Sequence, residues 1–391
     1  MTLKPNPLQA AVAEQKAYSQ APAATERPLL VCLSHLRWGF VYQRPQHLMS
    51  RMARRFDVLF FEEPLPGEGP TPYLEVFPQP SGVKVATPRL PAGLTPAQTD
   101  AALRDLLDGY LRDTPHPELL LWYFTPMSLG FSDHLAPRVT LYDCMDELSA
   151  FHGAPPELVF REKQLLAKAD VVFTGGVSIW EAKKTQHPNA HAMPSSVDIQ
   201  HFGAARDGLA EPADQITLAH PRLGFFGVID ERFDIALVEA VARARPDWQW
   251  VILGPVVKID PASLPRLPNI HYLGGKGYDQ LPAYLGGWDV ATMPFARNEA
   301  TRFISPTKTP EYLAGGCPVV STSITDVVRT YGHSEVVHIA DTPDAFITAV
   351  ERALAQRNDP RRLLAEADKA LQGMSWDNTW NAMMEQIQCL G

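Results

Sequence analysis

The stretch from Phe303 to Val320 carries the residues whose types and spacing could do chemistry most directly. It reads F-I-S-P-T-K-T-P-E-Y-L-A-G-G-C-P-V-V. Ser305 as N-cap and Pro306 at the first helical position predict a helix start, and the Gly-Gly pair predicts its stop. The free amide groups and the positive end of such a helix, with Lys308 in its first turn, predict a binding site for an anion such as a phosphate. The alternative is an ordinary loop, helix and strand of an α/β domain.

Alternating strands and helices must position this stretch. In the first half, continuous apolar runs predict strands at residues 29–34, 58–61, 83–86, 119–124, 139–142 and 171–173, with helices from Pro45 and at residues 97–111 and 158–167. In the second half, strands are predicted at residues 223–228, 248–253, 270–273 and 290–293, and helices at residues 235–244, 278–285, 324–330, 343–355, 360–371 and 375–387. The pattern predicts two open, doubly wound sheets, whose ligands bind beyond the carboxyl ends of the strands.

Length and composition set limits on the function. The chain has 391 residues with 45% hydrophobic composition, which is enough for two separate cores. A net charge of -9 disfavours nucleic acid as a partner. Four widely spaced cysteines predict neither a zinc site nor disulfides, and so favour a reducing compartment. We see no apolar run near 18 residues and no signal peptide, and therefore expect a cytoplasmic protein with a loose N-terminal tail.

Two loops at predicted strand ends carry further candidates. The first is W-G-F-V-Y-Q-R, in which aromatic side chains could stack against a sugar or lipid and Arg44 could meet an acceptor charge. Alternatively, the aromatics cover the end of the sheet and Arg44 is solvated. The second loop is Y-D-C-M-D-E, where Asp143 could orient a donor hydroxyl or receive an acceptor proton. Alternatively, Asp143 and Asp146 cap the next helix, and two carboxylates alone are too few to predict a metal site.

The central stretch resembles the donor-site signature of GT-B glycosyltransferases of the family 4 type, which is E-x-x-A-x-G-x-P-V-V. The matching residues are Glu311, Ala314, Gly316, Pro318, Val319 and Val320. The segment M-P-S-S-V-D-I-Q-H-F, residues 193–202, is similar to the interdomain segment of those enzymes. The resemblance implies a GT-B architecture, in which two Rossmann-like domains face each other across a cleft. We expect a tail at residues 1–27, an acceptor domain at 28–200 that the last helix (375–391) joins, and a donor domain at 201–374.

The resemblance also implies site residues. Its donor-binding positions fall on Gly227, Arg232, Lys276, Ser305, Pro306, Thr307, Lys308 and Glu311, with Lys276 near the nucleobase and Glu311 on the ribose hydroxyls. Its acceptor-binding positions fall on Trp38, Gly39, Gln43 and Arg44, and its catalytic positions on Asp143, Arg232 and Lys308. It implies no metal and no cofactor beyond the donor itself, a UDP- or GDP-sugar.

Three positions depart from the family pattern. Gly39 is the one glycine left in a loop that is usually Gly-rich, and Val228 stands where an Arg usually meets the diphosphate. Phe303 stands where the first Glu of an E-x7-E pair usually holds the donor sugar. We therefore expect Arg232 to fill the second cationic position of the family and Arg302 or Lys308 to compensate for the missing charge. Backbone groups of residues 304–307 would then hold the sugar.

The resulting hypothesis is a glycosyltransferase that moves a sugar from a nucleotide diphosphate sugar to a hydroxyl acceptor, with retention and without an essential metal. Glycan, lipid-linked and small-molecule acceptors are all compatible with it, as are polysaccharide or glycoconjugate synthesis and peripheral membrane contact. Two alternatives stay open: a GT-B sugar-nucleotide epimerase, and a catalytically silent GT-B protein that binds a sugar nucleotide or a protein partner. A dinucleotide-dependent dehydrogenase is disfavoured because no G-x-G-x-x-G follows either first strand.

Overall fold

The computed structural model of the chain describes residues 27–390. Within them, the first sheet has nine strands: β1 (Leu29–Leu33), β2 (Asp57–Phe61), β3 (Leu65–Pro66), β4 (Tyr73–Pro78), β5 (Val83–Leu90), β6 (Leu119–Tyr123), β7 (Val139–Cys144), β8 (Val171–Thr174) and β9 (Ala190–Ala192). Their order is β3-β5-β2-β1-β6-β7-β8-β9 with all pairs parallel, and β4 pairs antiparallel with β5. The change of direction between β1 and β6 is the switch point at which such sheets bind ligands.

The second sheet is parallel throughout the described residues, in the order β12-β11-β10-β13-β14-β15. Its strands are β10 (Arg222–Phe226), β11 (Gln249–Leu253), β12 (Ile270–Gly274), β13 (Val290–Met293), β14 (Val319–Ser321) and β15 (Val337–Ile339). Its switch point lies between β10 and β13, so the segment after β10 is placed at a ligand-binding edge. The prediction of two doubly wound parallel sheets is confirmed.

Helices cover both sheets. Those of the first half are α1 (Arg44–Met52), α2 (Pro96–Asp113), α3 (Leu129–Ser132), α4 (Leu158–Lys168), α5 (Val177–Lys183) and α6 (Ile199–Gly203). Those of the second half are α7 (Ile235–Ala244), α8 (Leu281–Gly286), α9 (Lys308–Ala314), α10 (Thr325–Tyr331), α11 (Pro343–Gln356), α12 (Pro360–Ala370) and α13 (Trp376–Gln388). None of the described helices is both long and apolar enough to cross a membrane.

Each sheet organises its own core. Apolar side chains of the first sheet form one buried cluster on each face, and the second sheet is surrounded by a third cluster. The last helix, α13, places Trp376, Trp380, Met383 and Ile387 in a cluster of the first sheet, so the chain ends by returning to the first domain. Val197 and Phe202 already belong to the second core. Of the predicted tail at residues 1–27, residues 1–26 lie outside the described part of the chain.

The start of the central helix differs from its prediction. Helix α9 begins at Lys308 with Thr307 as N-cap and no side-chain capping hydrogen bond, so Ser305 and Pro306 lie in the preceding loop. Ser305 lies against Gly176 of the first domain. The two residues are so close that a Cβ atom built on Gly176 would be 2.7 Å from the Ser305 Cβ atom. This tertiary contact overrides the local Ser-Pro signal for a helix start.

Candidate active site

A cavity of about 610 Å³ lies between the two domains, at the carboxyl ends of both sheets. Its second-domain wall includes Phe226, Gly227, Leu253, Gly254, Pro255, Gly275, Lys276, Gly277, Tyr278, Leu281, Thr307, Lys308 and Glu311. Its first-domain wall includes Trp38, Gly39, Phe40, Val41, Tyr42 and Gln43. The volume falls in the range of small-molecule and cofactor sites. Eight of the predicted site residues therefore meet in one place: Trp38, Gly39, Gln43, Gly227, Lys276, Thr307, Lys308 and Glu311.

Two glycines let the second-domain wall approach closely. Gly227 follows β10 with a φ of 147°, and Gly254 follows β11 with a φ of 142°, both in the region that favours glycine. A Cβ atom on Gly254 would lie 1.8 Å from the Gly227 carbonyl oxygen, and one on Gly227 would lie 2.2 Å from Lys308 Cε. Gly227 thus provides the space that the Lys308 side chain occupies, and Gly254 lets the Gly227 backbone approach β11.

Lys308 is the cation of the cavity wall with the fewest partners. Its Nζ atom lies 5.8 Å from the centre of the Phe295 ring and 2.9 Å from the position of a Gly227 Cβ. Across residues 27–390 its ammonium group makes no hydrogen bond and no ion pair. Burial lowers the pKa of Lys308, and the negative charge of Glu311 opposes that decrease. A lysine held in a cavity without a counterion is suited to binding an anion.

Glu311 lies one helical turn after Lys308 and is 6% exposed. Burial raises the pKa of Glu311 to about 7, while the charge of Lys308 and a hydrogen bond from the Thr307 side chain act in the opposite direction. Its carboxylate faces the cavity, where it can accept hydrogen bonds from hydroxyl groups of a ligand. Glu311 therefore lies at the same wall as Lys308. The ribose-binding role of Glu311 and the phosphate-binding role of Lys308 stay predictions.

Arg232 lies beside this wall rather than in it. Its guanidinium makes a bidentate ion pair with Asp230, with an Nε to Oδ1 distance of 2.9 Å and a second nitrogen 2.7 Å from Oδ2. Its charge also acts on Lys308 and on the first-domain carboxylate Asp146. Burial raises the pKa of Asp146, and the charges of Arg232, Arg44 and Lys308 oppose that increase. Carboxylates and cations of both domains therefore act on one another near Lys308.

Lys276 occupies the outer end of the cavity. Its Nζ atom lies 2.7 Å from Asp214 Oδ2 and 5.2 Å from the centre of the Tyr284 ring. The flanking residues Gly275 and Gly277 both line the cavity, and no atom lies within 4 Å of a Cβ atom built on Gly275. A planar ligand group can reach the backbone of Gly275 while Lys276 stays paired.

The first-domain wall is aromatic. Phe40 is 55% exposed and Tyr42 is 38% exposed, so both rings are available at the cavity surface. Tyr42 stacks on Tyr278 of the second domain with a centroid distance of 4.4 Å. Tyr278 in turn stacks on His201 at 4.1 Å, so a short column of rings closes this side of the cleft.

Arg44 and Asp143 are placed differently from their predictions. Arg44 is 1% exposed and Asp143 is not exposed at all, and Arg44 donates to both carboxylate oxygens of Asp143 at 2.9–3.1 Å. The third guanidinium nitrogen donates to the carbonyl oxygen of Met193 at 2.7 Å. Arg44 is therefore neither solvated nor in the cavity, and Asp143 caps no helix. The two side chains bind each other beneath the cleft.

Several residues of the site were not predicted from sequence. The sequence suggested Asp146 only as a helix cap or as half of a carboxylate pair too small for a metal site, and it gave no site role to Asp230, Gly254 or Tyr278. The signal for Gly254 was present, since I-L-G-P places a glycine directly after a predicted strand, as Gly227 is placed. Across the part of the chain that the structure describes, no group of three or more His, Cys, Asp or Glu side chains is arranged to hold a metal ion.

Comparison with known proteins identifies the activity class. A family model described as "Glycosyl transferases group 1" matches residues 220–356. The putative teichuronic acid biosynthesis glycosyltransferase TuaH of Bacillus subtilis is 26% identical over 289 residues, which are 68% of this chain and 70% of TuaH. The chain is a glycosyltransferase that resembles the group 1 family.

Solved structures show the fold of this glycosyltransferase. Sucrose-phosphate synthase from Thermosynechococcus elongatus has a TM-score of 0.70 at 17% identity, and the match covers 93% of this chain and 99% of that chain. A structure titled trehalose-6-phosphate from E. coli, bound with UDP-2-fluoro glucose, has a TM-score of 0.66 at 11% identity, with coverages of 91% and 98%. The predicted GT-B architecture is confirmed.

Proposed function

We propose that this glycosyltransferase moves a sugar from a UDP- or GDP-sugar to a hydroxyl acceptor, with retention of configuration and without an essential metal. The observation that carries the proposal is Lys308, which lies against Gly227 in the interdomain cavity and makes no ion pair with any of residues 27–390. A nucleoside diphosphate is the ligand that matches it, because the same wall offers a carboxylate for ribose hydroxyls and open backbone for a base. The UDP-sugar in the E. coli neighbour supports this donor class.

The chemistry follows from charge. When the bond between the sugar C1 and the diphosphate oxygen breaks, the electron pair stays on the diphosphate, whose negative charge grows. Lys308 meets that charge directly, and Arg232 adds positive potential beside it. Fixed cations aimed at a developing charge can lower a barrier by roughly 3 to 4 kcal/mol for each donor group. The acceptor oxygen forms the new bond to C1, and its proton passes to the departing diphosphate.

The first domain provides the acceptor side of the proposed reaction. Asp146 is the first-domain carboxylate that interacts electrostatically with Lys308 and Arg232, and we place it, rather than the buried Asp143, beside the reacting carbon. The exposed rings of Phe40 and Tyr42 offer flat apolar surface of the kind that sugar rings stack on. A polymer acceptor fits the name of the relative TuaH, and polysaccharide synthesis is therefore part of the proposal.

The compartment is also part of the proposal. All four cysteines are free, and Cys32, Cys144 and Cys317 are buried. Free buried thiols suit a reducing environment, which supports a cytoplasmic location. Peripheral contact with a membrane stays compatible with a lipid-linked acceptor.

Nucleotide-induced stabilisation tests the proposed donor site. UDP and GDP are titrated against the wild-type protein and against Lys308→Ala and Arg232→Ala, with Lys84→Ala, an exposed lysine on β5, as the control. A bound nucleotide raises the stability of the native state by mass action, about 2.7 kcal/mol at a hundredfold excess over Kd. We expect Lys308→Ala to lose most of the thermal shift, because a hydrogen bond to a charged group contributes roughly 1.5 to 3 kcal/mol. Wild-type affinity in both cleft variants would place the diphosphate elsewhere.

A further inference from the structure

The loop that leads into Lys308 is held by the opposite domain. Phe303 packs against the first-domain cluster of buried residues that includes Leu165 and Ile179. Its carbonyl oxygen accepts a hydrogen bond of 3.2 Å from the Ser178 hydroxyl of α5. Phe303 therefore turns away from the donor cavity and anchors its loop on the first domain.

The same first-domain turn makes two more contacts with the second domain, one with Asp326 of α10 and one with Ser305 of the loop. The backbone N–H of Ser178 donates to Asp326 of the second domain, at 3.1 Å from one carboxylate oxygen and 3.4 Å from the other. Asp326 is 5% exposed and Ser178 is 6% exposed. The carboxylate lies so close to Gly176 that a Cβ atom there would be 2.3 Å from Asp326 Oδ2, and it would also be 2.7 Å from Ser305 Cβ. Only a residue without a side chain fits at position 176.

We propose that the turn Gly176 to Ser178 is a positioning element of the reaction, which docks the loop Phe303 to Ser305 and so sets Lys308 against the first-domain half of the site. The residues proposed to bind the nucleotide belong to the second domain, where the Lys308 side chain lies against Gly227. The residues we place on the acceptor side belong to the first domain. The docking contacts join the two halves through the loop that carries the cation.

This arrangement explains Phe303. In the resembled enzymes a carboxylate at this position holds the donor sugar, whereas here an aromatic ring at the same position packs into the other domain. An interdomain contact therefore occupies the position at which the resemblance implies a sugar contact. Transfer then depends on the docked loop, while nucleotide binding does not.

The inference rests on the proposed donor site and predicts a separation between binding and turnover. Gly176→Ala places a methyl group against Asp326 and Ser305 and separates the two domains at this point. We expect its Kd for UDP or GDP to stay within about threefold of the wild type, since Lys308 and Glu311 are untouched. Turnover of UDP-hexose or GDP-hexose donors, measured as release of UDP or GDP, should fall by at least tenfold, and the radius of gyration in small-angle scattering should increase.

Two further variants keep the test interpretable. Gly109→Ala is the control, because it lies in α2 of the first domain with no atom within 4 Å of an added Cβ. Ser178→Ala removes the hydroxyl bond to Phe303 while keeping the backbone bond to Asp326, and we expect a smaller fall in turnover at unchanged Kd. If Gly176→Ala does not fold, Ser178→Ala alone decides the question.

The outcomes separate this inference from the proposed function. Wild-type turnover in Gly176→Ala and Ser178→Ala would overturn the positioning role while leaving the donor site intact. Equal losses of nucleotide affinity and turnover would also overturn it, since the loop would then be part of the binding site itself. If the wild-type protein binds neither UDP nor GDP, the proposed function fails first.

Discussion

Replacing Glu311 by Gln should stabilise the protein and lower its affinity for the nucleotide. The substitution keeps the side-chain shape and removes a carboxyl whose pKa burial raises from 4.5 to about 7. The difference between the two values corresponds to about 3 kcal/mol of native-state destabilisation once the group is ionised, at about 1.4 kcal/mol for each pH unit. Lys308 loses a favourable neighbour in the variant, so we expect a net gain of about 2 kcal/mol at pH 8.

The pH dependence gives the sign of this effect. Because the folded pKa is raised, the native state keeps its proton between pH 4.5 and 7 while the unfolded chain releases it. The contribution of Glu311 to stability is complete below pH 4.5 and is lost as the pH rises through 7. The Gln variant has no such loss, so its advantage over the wild type should grow from pH 5 to pH 7 and stay constant above pH 8.

Urea unfolding at pH 5, 6, 7 and 8 measures this difference, with the exposed Glu68→Gln as the matched control. In parallel, UDP and GDP affinity of Glu311→Gln should fall about tenfold, because a neutral amide replaces a charge-assisted acceptor for the ribose hydroxyls. A variant that is less stable than the wild type at pH 8, or whose advantage does not change with pH, would refute the buried, proton-holding carboxyl. Unchanged nucleotide affinity would refute its ribose contact.

Three other perturbations test separate parts of the structure. Gly227→Ala should lower nucleotide affinity and cost on the order of 1 to 3 kcal/mol of unfolding free energy, because its φ of 147° disfavours a side chain and the new methyl group meets Lys308. Calorimetric titration measures the affinity and urea unfolding measures the stability. A variant equal to the wild type in both would contradict the close approach of Lys308 to Gly227. Arg44→Met should lower the free energy of unfolding by about 3 to 5 kcal/mol, because it leaves Asp143 buried without its partner. Adding Asp143→Leu should restore most of that stability. A single variant as stable as the wild type would show that the ion pair is dispensable. Treatment with EDTA should leave donor turnover unchanged, and loss of turnover that Mg²⁺ or Mn²⁺ restores would contradict metal independence.

Local sequence patterns were sufficient for most of the fold. The runs that became β1, β6 and β10 are buried on both faces, and such strands are recognisable because most of their residues are hydrophobic. Strand β4 was missed since most of its residues are exposed, and it pairs only along one edge of β5. Its sequence, Y-L-E-V-F-P, is short and ends in proline, so neither burial nor periodicity marks it.

The donor half of the site was easier to predict than the acceptor half. Lys308 and Glu311 lie one turn apart in a single motif, so their meeting in one cavity follows from the helix itself. Arg44 and Asp143 are 99 residues apart, and nothing in their local sequence indicates that they would pair with each other instead of facing a ligand. The helix start at Ser305 failed for the same reason, because the competing contact comes from the other domain.

The most direct test of the account is the position of the nucleotide itself. A crystal structure of the protein soaked with UDP or GDP should show a phosphate oxygen within hydrogen-bonding distance of Lys308 Nζ, at about 2.7 to 3.2 Å, and ribose hydroxyls on the Glu311 carboxylate. A nucleotide bound outside the interdomain cavity, or a Lys308 ammonium that makes no contact with the diphosphate, would contradict the central claim that this unpaired lysine receives the leaving group.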